Sequence, residues 1–386
     1  MERRTRAEIN LDALAHNMRE IRRITNPNAK ILATVKADAY GHGAVECVNE
    51  LLKNGADRFS VATLDEAVEL RRVFPDIEIQ LLGSSMESDA QTIIENNIIP
   101  NAYTFEFAKT LSDIALKLNK SVKIHIKIDT GMSRIGYVVN DGDNQDVIDE
   151  ILAISKLPMV EIEGIFSHFS TSDEADTSYT DLQFKRFMYV CNALKERGLN
   201  IQIRHICNSA GIMMYPKYHL DMVRPGIILY GMYPSNDVDK SVIDLKYVMT
   251  LKSTITYVKE IEQGRGVSYG KKYIADGAVR IATVPIGYAD GYSRLLSEKA
   301  KIQVGNNVFP VVGRICMDQC MIDVSGVNNI NRGDEALIFG DGKVTADDIT
   351  QWMGTINYEI TCMVSRRIPR EYKKNGKTVK VLDYLL

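Results

Sequence analysis

Several polar or glycine-rich clusters close apolar runs in the first 230 residues: VKADAYGHG (35–43), KIDTGMSRIG (127–136), FSHFSTSDE (166–174), HICNSAG (205–211) and MVRPG (222–226). Lys36 ends one such run, and a desolvated lysine with a lowered pKa is what Schiff-base chemistry requires. Taken alone, it reads more simply as a surface lysine whose stem lies along apolar neighbours. Gly41 and Gly43 permit a turn that a side chain would block. Ser209 opens a short helix whose free N–H groups would favour an anion, although a plain N-cap at Asn208 and Ser209 explains the same residues. Arg224 and His168 read in isolation as an ion-pair partner and a structural hydrogen bonder. Lys127 reads as an ammonium paired with Asp129 or Asp318. The six cysteines form no C-x-x-C pair, and Cys316 and Cys320 are expected to be two half-buried thiols; no metal site is expected.

These clusters need elements to position them. From about residue 30 to 230, β-branched runs alternate with amphipathic helical stretches, the rhythm of βα units around a parallel sheet. Eight strands are expected, at 31–36, 58–63, 77–83, 98–103, 122–129, 160–168, 201–208 and 222–231, with the fourth the weakest. Eight units, with no G-x-G-x-x-G after a strand, point to an α/β fold of the (β/α)8 TIM-like barrel type. In such a barrel the chemistry sits at the C-terminal strand ends, where the clusters fall. The fifth strand alternates strictly, Val122, Ile124, Ile126 and Ile128 against Lys123, His125, Lys127 and Asp129, so a polar face must point into the barrel or toward a site. Past Pro234, strand-like runs broken by Gly and Asn turns predict a mainly β C-terminal domain, with one helix near 345–353. The polar stretch at 235–245 marks the boundary, giving domains 1–240 and 241–386.

The chain has 386 residues, 45% hydrophobic and 25% charged, with a formal net charge of -3. That balance supplies no basic field for nucleic acid or an anionic membrane, so a small-molecule substrate is expected. The start lacks the apolar stretch of a signal peptide and no run reaches the ~18 apolar residues of a membrane span. A cytoplasmic protein is expected.

VKADAYGHG resembles the cofactor-lysine motif of the alanine racemase family. DTGMSRIG, FSHFSTSDE, NSAG, VRPGIILYG, GVSYG, IGYADGY, VGRICMDQ and INYEI resemble its later motifs in the same order, over essentially the whole chain. The resemblance implies pyridoxal 5'-phosphate carried on Lys36, with phosphate donors at the hydroxyls of Tyr40, Ser209 and Tyr358 and the amides of Gly226 and Ile227. It places Arg224 against the pyridine nitrogen, where an always-protonated guanidinium leaves the ring a poorer electron sink and limits side reactions. Racemisation needs acid/base groups on both faces of the substrate carbon. The resemblance supplies Lys36 for one face and, for the other, Tyr269 of GVSYG from the opposite subunit of a homodimer. His168 is implied to link Tyr269 and Arg224. Arg134 is implied to hold the substrate carboxylate, helped by the amide of Met317 from the partner, and Lys127 matches a lysine that many members carry as a carbamate.

Two positions depart from the usual pattern: Asp38, where many members have Asn, and the Ser-Arg-Arg run at 365–367. Neither is a proposed catalytic position. The activity implied is interconversion of L- and D-alanine, supplying D-alanine for peptidoglycan, with Tyr358, Tyr288 and Met317 crowding the substrate side chain. A serine or broad-specificity racemase would differ only in pocket size. A pyridoxal-phosphate carrier without catalysis is the non-enzymatic alternative, and the large β domain with Tyr269 and Met317 argues against it.

Overall fold

A computed structural model describes residues 4–386. All eight expected barrel strands are present, at Lys30–Thr34, Arg58–Val61, Ile79–Leu81, Ile98–Ile99 continued by Asn101–Ala102, Val122–Asp129, Val160–Phe166, Ile203–His205 and Met222–Val223. They run parallel in two ladders, strands 8-1-2-3-4 and 7-6-5-4. The ladders meet on one side at Pro100, whose missing N–H splits strand four. On the other side they are joined by Asp221 N–H to Arg204 O (3.1 Å) and Arg224 N–H to Cys207 O (3.0 Å). Most strands are shorter than the apolar runs suggested, and the eighth gives way to a 3-10 turn at Ile227–Tyr230.

Strand five keeps its full expected span, Val122–Asp129. Val122, Ile124, Ile126 and Ile128 enter the apolar core. His125 and Lys127, on the other face, are buried among polar groups of neighbouring strands. The expected inward polar face is therefore real. Seven helices follow strands one to seven, and Leu11–Ile24 packs against Ala44–Lys53 and the Ile227–Tyr230 turn where an eighth would lie. Asn17 fixes that packing, donating to Leu229 O (3.0 Å) and Lys246 O (2.8 Å) and accepting from Lys246 N–H (2.8 Å).

The C-terminal half is mainly β, with helices at Ala346–Met353 and Asn357–Cys362. A seven-stranded sheet takes in the strand Arg6–Asn10 between Met249–Thr254 and Arg370–Lys374, so the sheet is built from both ends of the chain. A smaller antiparallel sheet joins Tyr257–Ile261, Val279–Val284 and Cys320–Asp323. Cys316 lies before this last strand and is half-buried, whereas Cys320 is fully buried. Among the described residues no helix is long and apolar enough to cross a membrane, and no group of three His, Cys, Asp or Glu could hold a metal.

Candidate active site

Lys36 does not end a strand. The first strand stops at Thr34, and Ala37, Asp38, Ala39 and Tyr40 follow with φ of 52°, 53°, 54° and 53°, one turn of left-handed helix. For residues with a Cβ this costs about 1–2 kcal/mol each, roughly 4–8 kcal/mol over the turn. Specific contacts offset it. Glu66 accepts from Ala37 N–H (2.6 Å), and Asp38 accepts from Ala44 N–H (2.7 Å). Arg370, buried in the β domain, donates to Gly41 O (3.0 Å). Both glycines after the turn are obligatory: a Cβ on Gly41 would stand 2.3 Å from Thr361 O, and one on Gly43 1.8 Å from Oη of Tyr372. The helix Asn357–Cys362 is thereby pressed against the turn, and Tyr358 stands beside Tyr40 with ring centroids 6.2 Å apart.

Three expected phosphate donors converge. Ser209 Oγ accepts from Gly226 N–H (2.9 Å), and a Cβ on Gly226 would stand 2.7 Å from Oη of Tyr40 and 3.8 Å from Oγ of Ser209. Gly226 thus keeps a small hydroxyl- and amide-lined hollow open. Ile227 opens the adjoining 3-10 turn, whose leading amide has no acceptor within the turn. Asn208, not Ser209, is the N-cap, accepting from Gly211 N–H (2.9 Å). Hydroxyls gathered beside a backbone left bare by glycine are the donors that the phosphate of pyridoxal phosphate would need.

Arg224 is buried at the barrel mouth. Nη1 donates to Nδ1 of His205 (2.8 Å), and Nη2 donates to Ser167 O (2.8 Å), Nδ1 of His168 (3.0 Å) and Ile206 O (3.0 Å). None of these bonds uses Nε. Burial pulls the guanidinium down to about 10, so it stays protonated at neutral pH. Because Arg224 can only donate, the tautomers beneath it follow. His205 accepts at Nδ1 and carries its proton on Nε2, toward Nδ1 of His125 (2.9 Å); His125 then donates from Nε2 to Glu163 (3.1 Å). Burial lowers the pKa of both histidines, keeping them neutral. Burial would raise the Glu163 carboxyl, but hydrogen bonds from His125, Arg58 and Lys123 hold it well below the usual range. The inward residues of strands five, six and seven therefore form one polar file from Arg224 to the Arg58–Glu163 pair (2.5 Å). The sequence reading did not identify this file. His125 on a polar face and the Glu161/Glu163 alternation were its visible signs.

Burial and the Arg134 charge lower the pKa of the Lys36 amine. Lys127 is lowered further, by burial and then by Arg224 and Arg134. Among the described residues it donates only to Ile128 O (3.2 Å), and it lies 4.8 Å from the Phe166 ring centroid. The ordinary pair is not formed: Asp129 caps the next loop, accepting from Gly131 (2.9 Å) and Ser133 (3.0 Å), and Asp318 pairs with Arg367 (2.9 Å). Arg134 is exposed on that loop, its charge felt by Lys36, Lys127, His168 and Arg224.

Tyr269 and Met317 lie apart from this cluster. Tyr269 tops the hairpin between Gly266–Val267 and Tyr273–Ile274 and is 68% exposed; Met317 is 53% exposed. Ser268 Oγ donates to Arg314 O (2.6 Å), and the amides of Tyr288 and Ala289 donate to Cys316 O (3.1 Å) and Met317 O (3.0 Å). Tyr269, Tyr288 and Met317 are thus tied into one exposed rim. Among the described residues no hydrogen bond or ring contact joins Tyr269 to Lys36.

Residues 9–234 match the family model for the alanine racemase N-terminal domain, and residues 248–372 match that for the C-terminal domain. The alanine racemase of Clostridium tetani is 50% identical over 98% of both chains. The solved alanine racemase of Clostridium difficile superposes with a TM-score of 0.95 at 43% identity, covering 100% of both chains. That of Bacillus anthracis with bound L-Ala-P gives 0.92 at 34% identity over 100% of this chain and 99% of the other. With both domain models matched and relatives this similar over the full length, the chain belongs to the alanine racemase family.

Proposed function

We propose that this chain is an alanine racemase that interconverts L- and D-alanine with pyridoxal 5'-phosphate and supplies D-alanine for peptidoglycan in the cytoplasm. The observation that carries the reading is the juxtaposition of a partly desolvated Lys36 amine, a donor-lined hollow at Tyr40, Ser209 and Gly226, and a protonated Arg224. When bound, the cofactor supplies an electron-accepting ring that acidifies the hydrogen on the substrate α-carbon. Everything else falls to the protein.

Tyr40, Ser209, Tyr358 and the amides of Gly226 and Ile227 hold the phosphate, and Lys36 carries the cofactor. Arg224 would present to the pyridine nitrogen a donor that keeps its own proton, and His168, held by Arg224, would link that arginine toward the second acid/base group. Lys36, with its pKa lowered, moves a proton at one face of the α-carbon. Tyr269 does so at the other face, from a second copy of the chain. Arg134 binds the substrate carboxylate with its planar fork, and the Met317 amide of that second copy adds a contact. The lowered pKa of Lys127 favours the free amine, which can add to carbon dioxide with loss of a proton to solvent, and the resulting anionic carbamate would orient Arg134. The division is a barrel unit at 1–240, which lends its first strand, Arg6–Asn10, to the β sheet and would bind the cofactor, and a β unit at 241–386, which would complete the site of the other copy.

Chiral analysis of the product from L-alanine tests the reaction. D-alanine should accumulate until both isomers are equal, with much lower kcat/KM for L-serine and L-lysine; no D-alanine, or equal turnover of all three, would defeat the assignment. Borohydride reduction and peptide mapping test the lysine. The label should fall on Lys36, and Lys36→Ala should stay folded but bind no cofactor covalently.

A further inference from the structure

The left-handed turn after Lys36 is held from outside the barrel by a segment that the racemase reading does not use. Tyr384, just beyond the strand Lys377–Leu382, donates its hydroxyl to Oδ2 of Asp38, while Oδ1 of the same carboxylate accepts from Ala44 N–H (2.7 Å). Its ring lies between two guanidiniums, Arg366 at 5.2 Å and Arg370 at 5.3 Å from the centroid. Arg370 also donates to Gly41 O (3.0 Å), Ser365 O (2.7 Å), Ile368 O (2.6 Å) and Val364 O (2.6 Å). Tyr384 therefore touches both the side chain at the second position of the strained turn and the arginine that grips its far end.

Neighbouring contacts tie down the same stretch. Lys380 pairs with Glu46 (2.5 Å) and Lys374 with Glu50 (2.7 Å), both on the helix Ala44–Lys53 that begins where the turn ends. Glu50 is buried, and Tyr384 is half-buried, which pushes its phenol pKa upward through desolvation and then through the Asp38 charge. The phenol thus remains a donor at any working pH. A hydrogen bond to a charged acceptor is stronger than one between neutral groups. Alanine does not favour φ near +53° at positions 37 and 39, and aspartate only tolerates it at 38, so outside contacts must hold the turn.

We propose that Tyr384 is a positioning residue for Lys36: through Asp38 and Arg370 it latches the left-handed turn that aims the lysine amine. The inference rests on Lys36 being the cofactor lysine and acid/base group. Asp38 can be replaced by asparagine without losing the latch, because a phenolic oxygen also accepts and an amide N–H can donate to it, while the amide oxygen still accepts from Ala44.

The test uses the full-length, cofactor-loaded enzyme with Tyr384→Phe, which keeps the ring between the two arginines and removes only the hydroxyl. Amide hydrogen exchange at 37–43 should speed up roughly tenfold, the equivalent of one charge-assisted bond, with exchange elsewhere in the barrel unchanged. The kcat for alanine should fall several-fold while KM moves less than twofold, because the carboxylate contact at Arg134 is untouched. Asp38→Ala, which also removes the acceptor of Ala44 N–H, should show both effects at least as strongly, and Asp38→Asn, with a neutral bond in place of the charged one, should be markedly milder in both. Unchanged exchange at 37–43 in Tyr384→Phe, or a uniform rise over the whole barrel, would overturn the latch. A kcat and KM that fall together, or Asp38→Asn as damaging as Asp38→Ala, would overturn it equally. Borohydride labelling separates the two levels: label on another lysine refutes the role of Lys36, whereas label on Lys36 with unchanged exchange refutes the latch alone.

Discussion

At Gly226 the missing side chain makes room for a ligand as well as for the fold. A methyl there would stand 2.7 Å from Oη of Tyr40 and 3.8 Å from Oγ of Ser209, in the hollow those hydroxyls enclose. Gly226→Ala should therefore weaken cofactor binding by about tenfold or more, near 1.4 kcal/mol. Some stability should be lost without cofactor too, because Gly226 has φ −124° and ψ −95°, outside the regions that residues with a Cβ favour, and the methyl crowds the buried Tyr40, so affinity is compared on protein shown to be folded. Equilibrium titration with pyridoxal phosphate is the measurement, and unaltered affinity would place the phosphate elsewhere. Lys36 gave a different lesson. Its cofactor role is expected only from the resemblance of VKADAYGHG to a family motif, since residue type alone favours a surface lysine, and its backbone was not legible either, since Ala37 and Ala39 carry no signal for a left-handed turn. That conformation is imposed by Glu66, Arg370 and the helix Asn357–Cys362, distant in sequence and brought together only by the fold.

Barrel strands were legible where their patterning was one-sided. Val122–Asp129 was delimited by strict alternation, whereas the fourth strand is split at Pro100, and the eighth ends just before Arg224-Pro225-Gly226 turns toward the hollow. Individual inward residues were visible, but their linkage was not, because a contact across a barrel leaves no local period. The file from Arg224 to Glu163 has two measurable consequences. Glu163 and Arg58 are both buried, so Glu163→Gln leaves a guanidinium without its counter-charge and should cost about 3 kcal/mol or more in urea unfolding. Lys123 also reaches Glu163, at 2.9 Å, but is 41% exposed, and Lys123→Met should cost less than about 1 kcal/mol. Equal losses would deny the buried pair its special place. The histidines set the acid limit. His42, His125, His168 and His205 all have pKa values lowered by burial from the ordinary 6.5, His42 to about 3. The unfolded chain therefore takes up protons below pH ~6.5 that the native chain refuses, and the stability present above that pH is lost as pH falls. Each histidine adds up to about 1.4 kcal/mol per pH unit, with Glu163 joining below about 4.5. Urea midpoints at pH 7.5, 6.5 and 5.5 should thus fall with increasing steepness, and a flat profile would mean that these rings are charged in the native state.

In the whole molecule, the groups proposed to act in the reaction are distributed over two surfaces. Lys36, Tyr40, Ser209 and Arg224 gather at the barrel mouth, while Tyr269, Tyr288 and Met317 stand on an exposed rim of the β domain. A tyrosine 68% exposed on a braced hairpin is poorly explained by folding within one chain. It fits a twofold dimer in which each rim enters the other copy's barrel mouth, a self-complementary contact that closes on itself. Subunit mixing tests this arrangement directly. Lys36→Ala and Tyr269→Ala homodimers should each be nearly inactive, since every site lacks one of the two acid/base groups. A mixed dimer would have one site with neither substitution and one with both. With random exchange of equal amounts, half of the dimers are mixed and half of their sites are intact, so roughly a quarter of the original activity should return. If the two residues instead served the same chain's site, every site in the mixture would still carry one substitution, and no activity would return even after exchange had been demonstrated by differently tagged subunits.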